Sequence, residues 1–242
     1  MKWQERTELL VGKQGIKKLA ASHVLVAGLG GVGAVAAEML CRAGVGTLTL
    51  ADHDVYQLSN LNRQIGALHS TLNRPKTEVM KERLLDINPQ LQITLINEYL
   101  KDDSMKALLQ EGHFDYIIDA IDTFSPKTFF IYHAVTSGQN LVSSMGSGGK
   151  TRPEDVRVAD FADTYQCRLA YMLRKRLRRK NITGGFRAVF SVEPVNKEAI
   201  IQVEEENKKS NIGTLSYMPV LFGTWCAAEV IQQILQKNDN KD

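Results

Sequence analysis

Gly28-Leu29-Gly30-Gly31-Val32-Gly33, with Asp52 after the next apolar run, is the part of this 242-residue sequence whose spacing speaks first of chemistry. Glycines in a tight turn let a phosphate approach the main chain. A helix beginning there aims free N–H groups and the positive end of its dipole at the anion. Asp52 is placed to accept from a ribose hydroxyl. Turn and acid together imply a nucleotide and leave its kind open, since NAD and flavin use the same arrangement. Further on come polar residues that such a site could recruit. Leu58-Ser59-Asn60-Leu61-Asn62-Arg63-Gln64 is a stretch unusual for a dehydrogenase, Asn73-Arg74-Pro75-Lys76 adds a lysine, and the run 115–120 leads to Asp119, Ile121 and Asp122.

Each of these has a plainer reading. Arg63 and Lys76 could be surface charges, Asp122 a helix N-cap, and Asp119 a structural acid. Asp54 is a weaker candidate than Asp52. His23, His53, His69, His113 and His133 are scattered, so ligation of a metal through imidazole is unsupported; His53 stands near the nucleotide only because it lies between two acids. Cys41, Cys167 and Cys226 are far apart with no CxxC pair, which indicates neither a disulfide framework nor a zinc site. Cys167 is the one thiol worth suspecting, and without a paired histidine it reads as inert.

The elements that must hold these residues follow from periodicity. Residues 23–27 are a buried parallel strand, 34–43 the helix after the glycine turn, and 47–51 the second strand. A helix over 6–19 precedes them, broken by Gly12 and Gly15. Pro75 suits the first turn of a helix running to about Ile87. Residues 92–97 alternate as a strand, 101–110 are helical, 115–120 form a buried strand whose Asp122 end faces the nucleotide, 125–127 open another helix, and 140–144 are a further strand. The loop Met145-Gly146-Ser147-Gly148-Gly149-Lys150 ends this regular alternation. Beyond it the pattern predicts strands at 156–160, 186–192 and 199–203, a helix at about 165–179, a solvated turn or loop at 204–209, and a last helix over 216–236. This predicts an α/β fold: a Rossmann-like sheet with helices on both faces, continued by a mixed-sheet extension. A single domain over 1–242 is expected, with a nucleotide-binding half at 1–150 and a C-terminal half at 151–242.

Composition bounds the rest. With 43% apolar residues the chain can bury a sizeable core. The N-terminus lacks a long apolar core, and no run of about 18 uncharged apolar residues occurs, so no membrane partner is expected and a reducing, cytoplasmic setting fits best. The formal net charge is +3, yet Arg174, Lys175, Arg176, Arg178, Arg179 and Lys180 are all cationic, and setting these six aside turns the total to −3. Ala170, Leu173 and Leu177 share one side of the helix and the cations cover most of the rest. Two readings stay open: a solvated face, or a contact for nucleic-acid phosphate.

GxGGxG, Asp52-x-Asp54, Ser59-Asn60-Leu61-Asn62-Arg63-Gln64, Pro75-Lys76 and Asp119-Ala120-Ile121-Asp122, in that order, resemble the ubiquitin-activating-enzyme superfamily, whose bacterial members include the HesA, MoeB and ThiF proteins. The resemblance covers nearly all of the first 150 residues. Within it, the absence of zinc cysteines and the run Leu173 to Lys180 followed by Val189-Phe190-Ser191-Val192-Glu193 are similar to the tRNA threonylcarbamoyladenosine dehydratases. The resemblance implies ATP and magnesium, with a carboxylate attacking the α-phosphate to give an acyl adenylate and pyrophosphate. It implies that Gly28, Gly30, Gly31, Gly33 and Asp52 hold the nucleotide, that Asn60, Arg63 and Lys76 meet the phosphates, that Gln64 shapes their pocket, and that Asp122 binds magnesium. Arg6, six residues before Gly12, matches an arginine that reaches into a partner subunit's site, which implies a homodimer.

In the dehydratase subfamily the attacking carboxylate belongs to threonylcarbamoyl-adenosine beside the tRNA anticodon, and the adenylated carboxyl is then attacked by a group of the same modification. That implies tRNA as partner, with Arg174, Lys175, Arg178 and Arg179 as its phosphate contacts. A monovalent cation, Na+ or K+, and a sulfur-relay or cysteine desulfurase partner are further implications that spacing does not show. The alternative within the superfamily is an adenylyltransferase activating the C-terminal Gly-Gly of a ubiquitin-like sulfur carrier; a dehydrogenase or a non-catalytic nucleotide-binding module is more distant.

Overall fold

The structure, a computed structural model, describes residues 3–205 and 208–236. In chain order the elements are α1 (Glu5–Ala21), β1 (His23–Ala27), α2 (Gly33–Ala43), β2 (Thr47–Ala51), α3 (Lys76–Ile87), β3 (Gln92–Ile96), α4 (Asp102–Glu111), β4 (Tyr116–Asp119), α5 (Phe124–Thr136), β5 (Leu141–Ser144), β6 (Val156–Asp160), α6 (Arg168–Arg178), β7 (Arg187–Ser191), β8 (Ile200–Glu205), β9 (Lys208–Ile212) and α7 (Tyr217–Gln236).

β1 to β7 form a seven-stranded sheet in the order β3-β2-β1-β4-β5-β7-β6. Every neighbouring pair is parallel except β6 with β7, so the sheet takes strands from both halves of the chain. Alternate side chains leave a strand on opposite faces, and here both faces are covered. On one, Val24, Val26, Leu48, Leu50 and Ile118 pack with Leu40 of α2 and Phe222 and Cys226 of α7. On the other, Leu25, Ala27 and Ile117 pack with Phe130 and Ile131 of α5 and with Ala170, Leu173 and Leu177 of α6. Each such aliphatic or aromatic side chain contributes about 1.5–3 kcal/mol by leaving water.

After β1 the chain first builds outward through β2 to β3, then returns to place β4 on the other side of β1. Two connections diverge at that point and leave a crevice beyond the carboxyl ends of β1 and β4, where ligands of open α/β sheets bind.

Two expectations are revised. Gly12, at φ 71° and ψ 172°, does kink α1, but Gly15 does not break it: Gly15 is buried, and a Cβ there would lie 3.0 Å from Leu235 of α7. Residues 204–205 and 208–209, read as loop, belong to a two-stranded antiparallel ribbon, β8 with β9, in which Glu205 pairs with Lys208; residues 206–207 lie outside the described residues. Main-chain bonds hold such a ribbon without the apolar alternation that signals a strand. α7 is long and apolar enough to cross a membrane by length and composition, yet Met218, Phe222, Cys226, Ala227, Val230 and Ile234 are buried in the core.

Candidate active site

The glycine turn lies at the mouth of the crevice, held by close approaches that exclude side chains. Gly28 takes φ 88°, and a Cβ on it would lie 2.7 Å from the carbonyl oxygen of Ala120; a Cβ on Gly33 would overlap the carbonyl of Gly28. The turn is thereby pressed against the residues following β4, which lead directly to Asp122, an exposed carboxylate.

Asp52 braces the turn from the other side. One of its oxygens accepts from the Leu29 N–H at 2.6 Å and the other from the Asp54 N–H at 2.8 Å. Each carboxylate oxygen has a second lone pair, so a ribose hydroxyl can be accepted without breaking either bond. Lys76 stands beside it, its side chain only 7% exposed, with Nζ 2.8 Å from Asp54 Oδ2 and 3.9 Å from Asp52 Oδ2. The pairing follows from the chain path: Val55 bridges Pro75, and the Lys76 N–H donates to the Asp54 carbonyl, which clips the segment after β2 to the start of α3. Asp54, ranked low from sequence, is therefore the acid that holds Lys76.

The polar stretch 58–64 folds over the turn. A Cβ on Gly31 would lie 2.8 Å from the Arg63 carbonyl oxygen. Asn60 is buried and its Oδ1 accepts from the Gln57 N–H at 3.0 Å, while its carbonyl accepts from the N–H groups of Arg63 and Gln64. Asn60 thus caps the short turn that presents Arg63, a structural duty beside the phosphate contact expected of it. Arg63 is half-buried, and its Nη1 donates to the Ser59 carbonyl and to Asn62 Oδ1. Guanidinium has five N–H donors, so others remain for a ligand. Gln64 is buried with its Nε2 toward Gly30, and its Oε1 has no hydrogen-bond partner among the described residues. An orphaned buried acceptor is costly unless a ligand or water supplies a donor.

Behind Asp122 is a cluster that sequence reasoning missed. Asp119 and Lys127 are fully buried and paired at 2.8 Å; Ser143 Oγ donates to Asp119 at 2.6 Å, the Ile121 N–H donates to Asp119 Oδ1 at 3.1 Å, and Lys127 Nζ donates to the Ile121 carbonyl at 3.1 Å. Both main-chain groups of Ile121 are thereby fixed, and with them the position from which Asp122 projects. A lysine after Ser125-Pro126 carries no sign of this, because lysine is almost never fully buried unless paired. Asp119 is structural.

The glycine loop after β5 is linked to the same region. The Gly149 N–H donates to the Gly213 carbonyl, and Asn62 Nδ2 donates to the Thr214 carbonyl, which ties the loop after β9 to the segment bearing Arg63. Lys150 Nζ donates to the Glu193 carbonyl, and burial pulls its pKa down. Burial alone would raise Glu193, but the Arg152 and Thr151 N–H groups and the Thr151 hydroxyl override it and hold the carboxyl below its usual range.

Other candidates do not join the cluster. Gln4, just before exposed Arg6, packs on Gly44 at the end of α2 remote from the glycine turn, so Arg6 lies away from its own chain's site. Asp52, His53 and Asp54 bring potential metal-binding atoms within 4.8 Å, but Asp54 is already engaged by Lys76 and by His53 at 3.2 Å. Cys41 and Cys226 are buried, their thiols pushed up to about 11 and about 12, and Cys167 is buried at the start of α6. On α6, Arg174 turns to the Thr164 hydroxyl, and just past the helix Lys180 lies over the rings of Phe129 and Tyr132. Of the residues expected to meet tRNA phosphate, Arg174 is the half-buried one, with one guanidinium donor tied to the loop before the helix. Lys175, Arg176, Arg178 and Arg179 are exposed.

A glycine turn at the switch point, with an acid, two cations and an orphaned buried amide gathered about it, has the features of an α/β nucleotide-binding protein, and the profile of the ThiF family matches residues 4–242. The chain belongs to that family. It is 34% identical over 239 residues to the tRNA threonylcarbamoyladenosine dehydratase of Bacillus subtilis, which covers 96% of this chain and 94% of that protein. The Escherichia coli dehydratase TcdA in complex with ATP superposes with a TM-score of 0.86 at 32% identity, over 97% of this chain and 96% of that one. Similarity to the E. coli sulfur carrier protein ThiS adenylyltransferase, 37% identical, extends over 142 residues, 58% of this chain and 56% of that protein.

Proposed function

We propose that this protein is an ATP-dependent enzyme that cyclises threonylcarbamoyl-adenosine beside the tRNA anticodon by adenylating its carboxylate. The observation that carries the reading is the convergence of Asp52, Lys76 and Gln64 on one glycine turn, against which the main chain leading to Asp122 is packed, in a chain similar to the dehydratases along nearly its whole length.

A carboxylate oxygen of the substrate attacks the α-phosphorus of ATP and pyrophosphate leaves. Negative charge gathers on the phosphoryl oxygens, and preorganised cations aimed there lower the barrier most. Lys76 is held in place by Asp54 and Asp52 before ATP arrives, and Arg63 contributes its remaining donors. Magnesium fits at Asp122, since this ion takes one or two carboxylates together with substrate phosphates, and Asp122 is an exposed carboxylate on a main chain fixed by Asp119 and Lys127. When bound, it would neutralise phosphate charge. The acyl carbon is then attacked by a group of the same modification, and AMP leaves with the carboxylate oxygen, a net loss of one water. Both reacting groups sit on one nucleoside, which already supplies proximity, so buried Cys167 need not act.

The active form in this reading is a homodimer. Leu9 and Leu10, exposed at 83% and 86%, mark the outer face of α1, where Arg6 also lies, and a second copy covering that face would carry Arg6 toward the neighbouring site. The setting in this reading is a reducing cytoplasm, in keeping with three free, buried cysteines.

Sulfur-carrier activation is the second reading, favoured by the shared nucleotide half. One incubation separates the two: with ATP, magnesium and tRNA bearing the linear modification, the nucleoside loses one water and AMP appears. Pyrophosphate exchange that requires a protein ending in Gly-Gly, with the tRNA unchanged, would favour the carrier.

A further inference from the structure

One stripe of α6 carries two kinds of exposed side chain. Arg168, Tyr171, Lys175 and Arg178 recur at i, i+3, i+7 and i+10, so they line up along one face, away from buried Ala170, Leu173 and Leu177. Tyr171 is 61% exposed, and Tyr165, just before the helix, is 53% exposed. The Tyr165 ring meets the edge of buried Phe190, with centroids 5.7 Å apart at 74°, so it is held in place while much of it faces water. Neither tyrosine is accounted for by the core. A merely solvated helix face would gain nothing from two large rings among its cations.

The stripe is oriented with respect to the site. A Cβ on Gly146 would lie 4.0 Å from Leu169 Cδ2. Gly146 belongs to the loop leaving the carboxyl end of β5, the strand beside β4, after which Asp122 projects. The first turn of α6 is thus its site end, and the last turn lies roughly 15 Å further on at 1.5 Å per residue. The rings are at the site end and the cations Lys175 and Arg178 at the far end.

We propose that Tyr165, Arg168, Tyr171, Lys175 and Arg178 form a platform for single-stranded RNA: the two rings stack on unpaired loop bases flanking the nucleoside that enters the site, and the far cations neutralise phosphates beyond them. Unpaired bases have free π faces that rings can take, whereas a paired stem offers only backbone and groove. An acidic protein partner would answer the cations but not the rings. The inference rests on the tRNA-substrate reading above and adds which part of the tRNA is touched, and by what.

The test uses the full-length protein and two labelled probes, an anticodon stem-loop RNA and a fully paired RNA of equal length, titrated by fluorescence anisotropy over a salt series. Tyr171→Ala is expected to weaken stem-loop binding about tenfold, from the usual contribution of one stacked base, to leave the paired RNA and the salt slope unchanged, and to be rescued by Tyr171→Phe. Lys175→Glu with Arg178→Glu should weaken both probes and flatten the slope. Stem-loop affinity unmoved by Tyr171→Ala, or both probes lost equally, overturns the platform while leaving the tRNA reading intact. Wild-type protein that binds neither probe overturns both.

Discussion

The carboxyl ends of β1 and β4 and the outer face of α6 both collect charge, and they handle it in opposite ways. At the strand ends charge is matched and mostly buried: Lys76 with Asp52 and the more exposed Asp54, and Lys127 with Asp119, both fully buried. On α6 and at its C-terminal cap, Lys175, Arg176, Arg178 and Arg179 stand in water. In a dry site an attraction is strong and geometry is decided before the ligand arrives. On a wet surface it is weak per residue, long in reach and screened by salt. The first arrangement suits a bond-making step at one phosphorus, the second capture of a large polyanion.

The contrast breaks most severely at Lys127. Lys127→Met leaves Asp119 buried and unpaired, and stability should fall by about 3–5 kcal/mol in urea denaturation, with much of it regained in Lys127→Met/Asp119→Leu. A Lys127→Met variant as stable as wild type would mean that the pair does not hold the end of β4. Arg63→Ala should slow adenylation about a hundredfold to a thousandfold in pyrophosphate exchange, with thermal unfolding unchanged; unaltered turnover would remove Arg63 from the phosphate site.

Glu193→Gln replaces one of the two oxygens that accept from Thr151 and Arg152 with a donor, and should cost about 1–3 kcal/mol near neutral pH. The folded Glu193 carboxyl lies below its ordinary 4.5, so its contribution is present above that pH and is lost as pH falls through the folded value. The gap between variant and wild type should therefore close on acidification, and a gap constant with pH would contradict the assignment. Smallest in its effect on stability is the outer face of α6: Lys175→Glu with Arg179→Glu should move unfolding by about 0.5 kcal/mol or less while weakening tRNA binding in a salt-dependent way. A large loss of stability would show those cations to be structural.

The sheet was legible from the sequence because its strands are short apolar runs ending at glycine or acid, as in residues 23–27 and 47–51. The packing of Asp52 against the glycine turn was legible because the two are close in sequence. The supports of the site were not. Lys127 with Asp119, Asp54 with Lys76 and Glu193 with Thr151 are partners across the fold, and nothing in a single lysine or glutamate tells which acid or amide the chain will bring to it. The strand at 199–203 was legible, but its charged end at 204–205 and its partner β9 were not, since charge there conceals a pairing made by the main chain. Arg174 shows the converse: its place in a basic run suggested a free cation, and only the path of the preceding loop reveals Thr164 beside it.

The central claim, that a carboxylate of the tRNA modification attacks the α-phosphorus of ATP, is tested most directly by labelling that carboxylate with heavy oxygen and weighing the AMP released. The account predicts one labelled oxygen in the AMP for each nucleoside cyclised. Cyclised nucleoside formed with unlabelled AMP, or with ATP cleaved to ADP and phosphate, would contradict it.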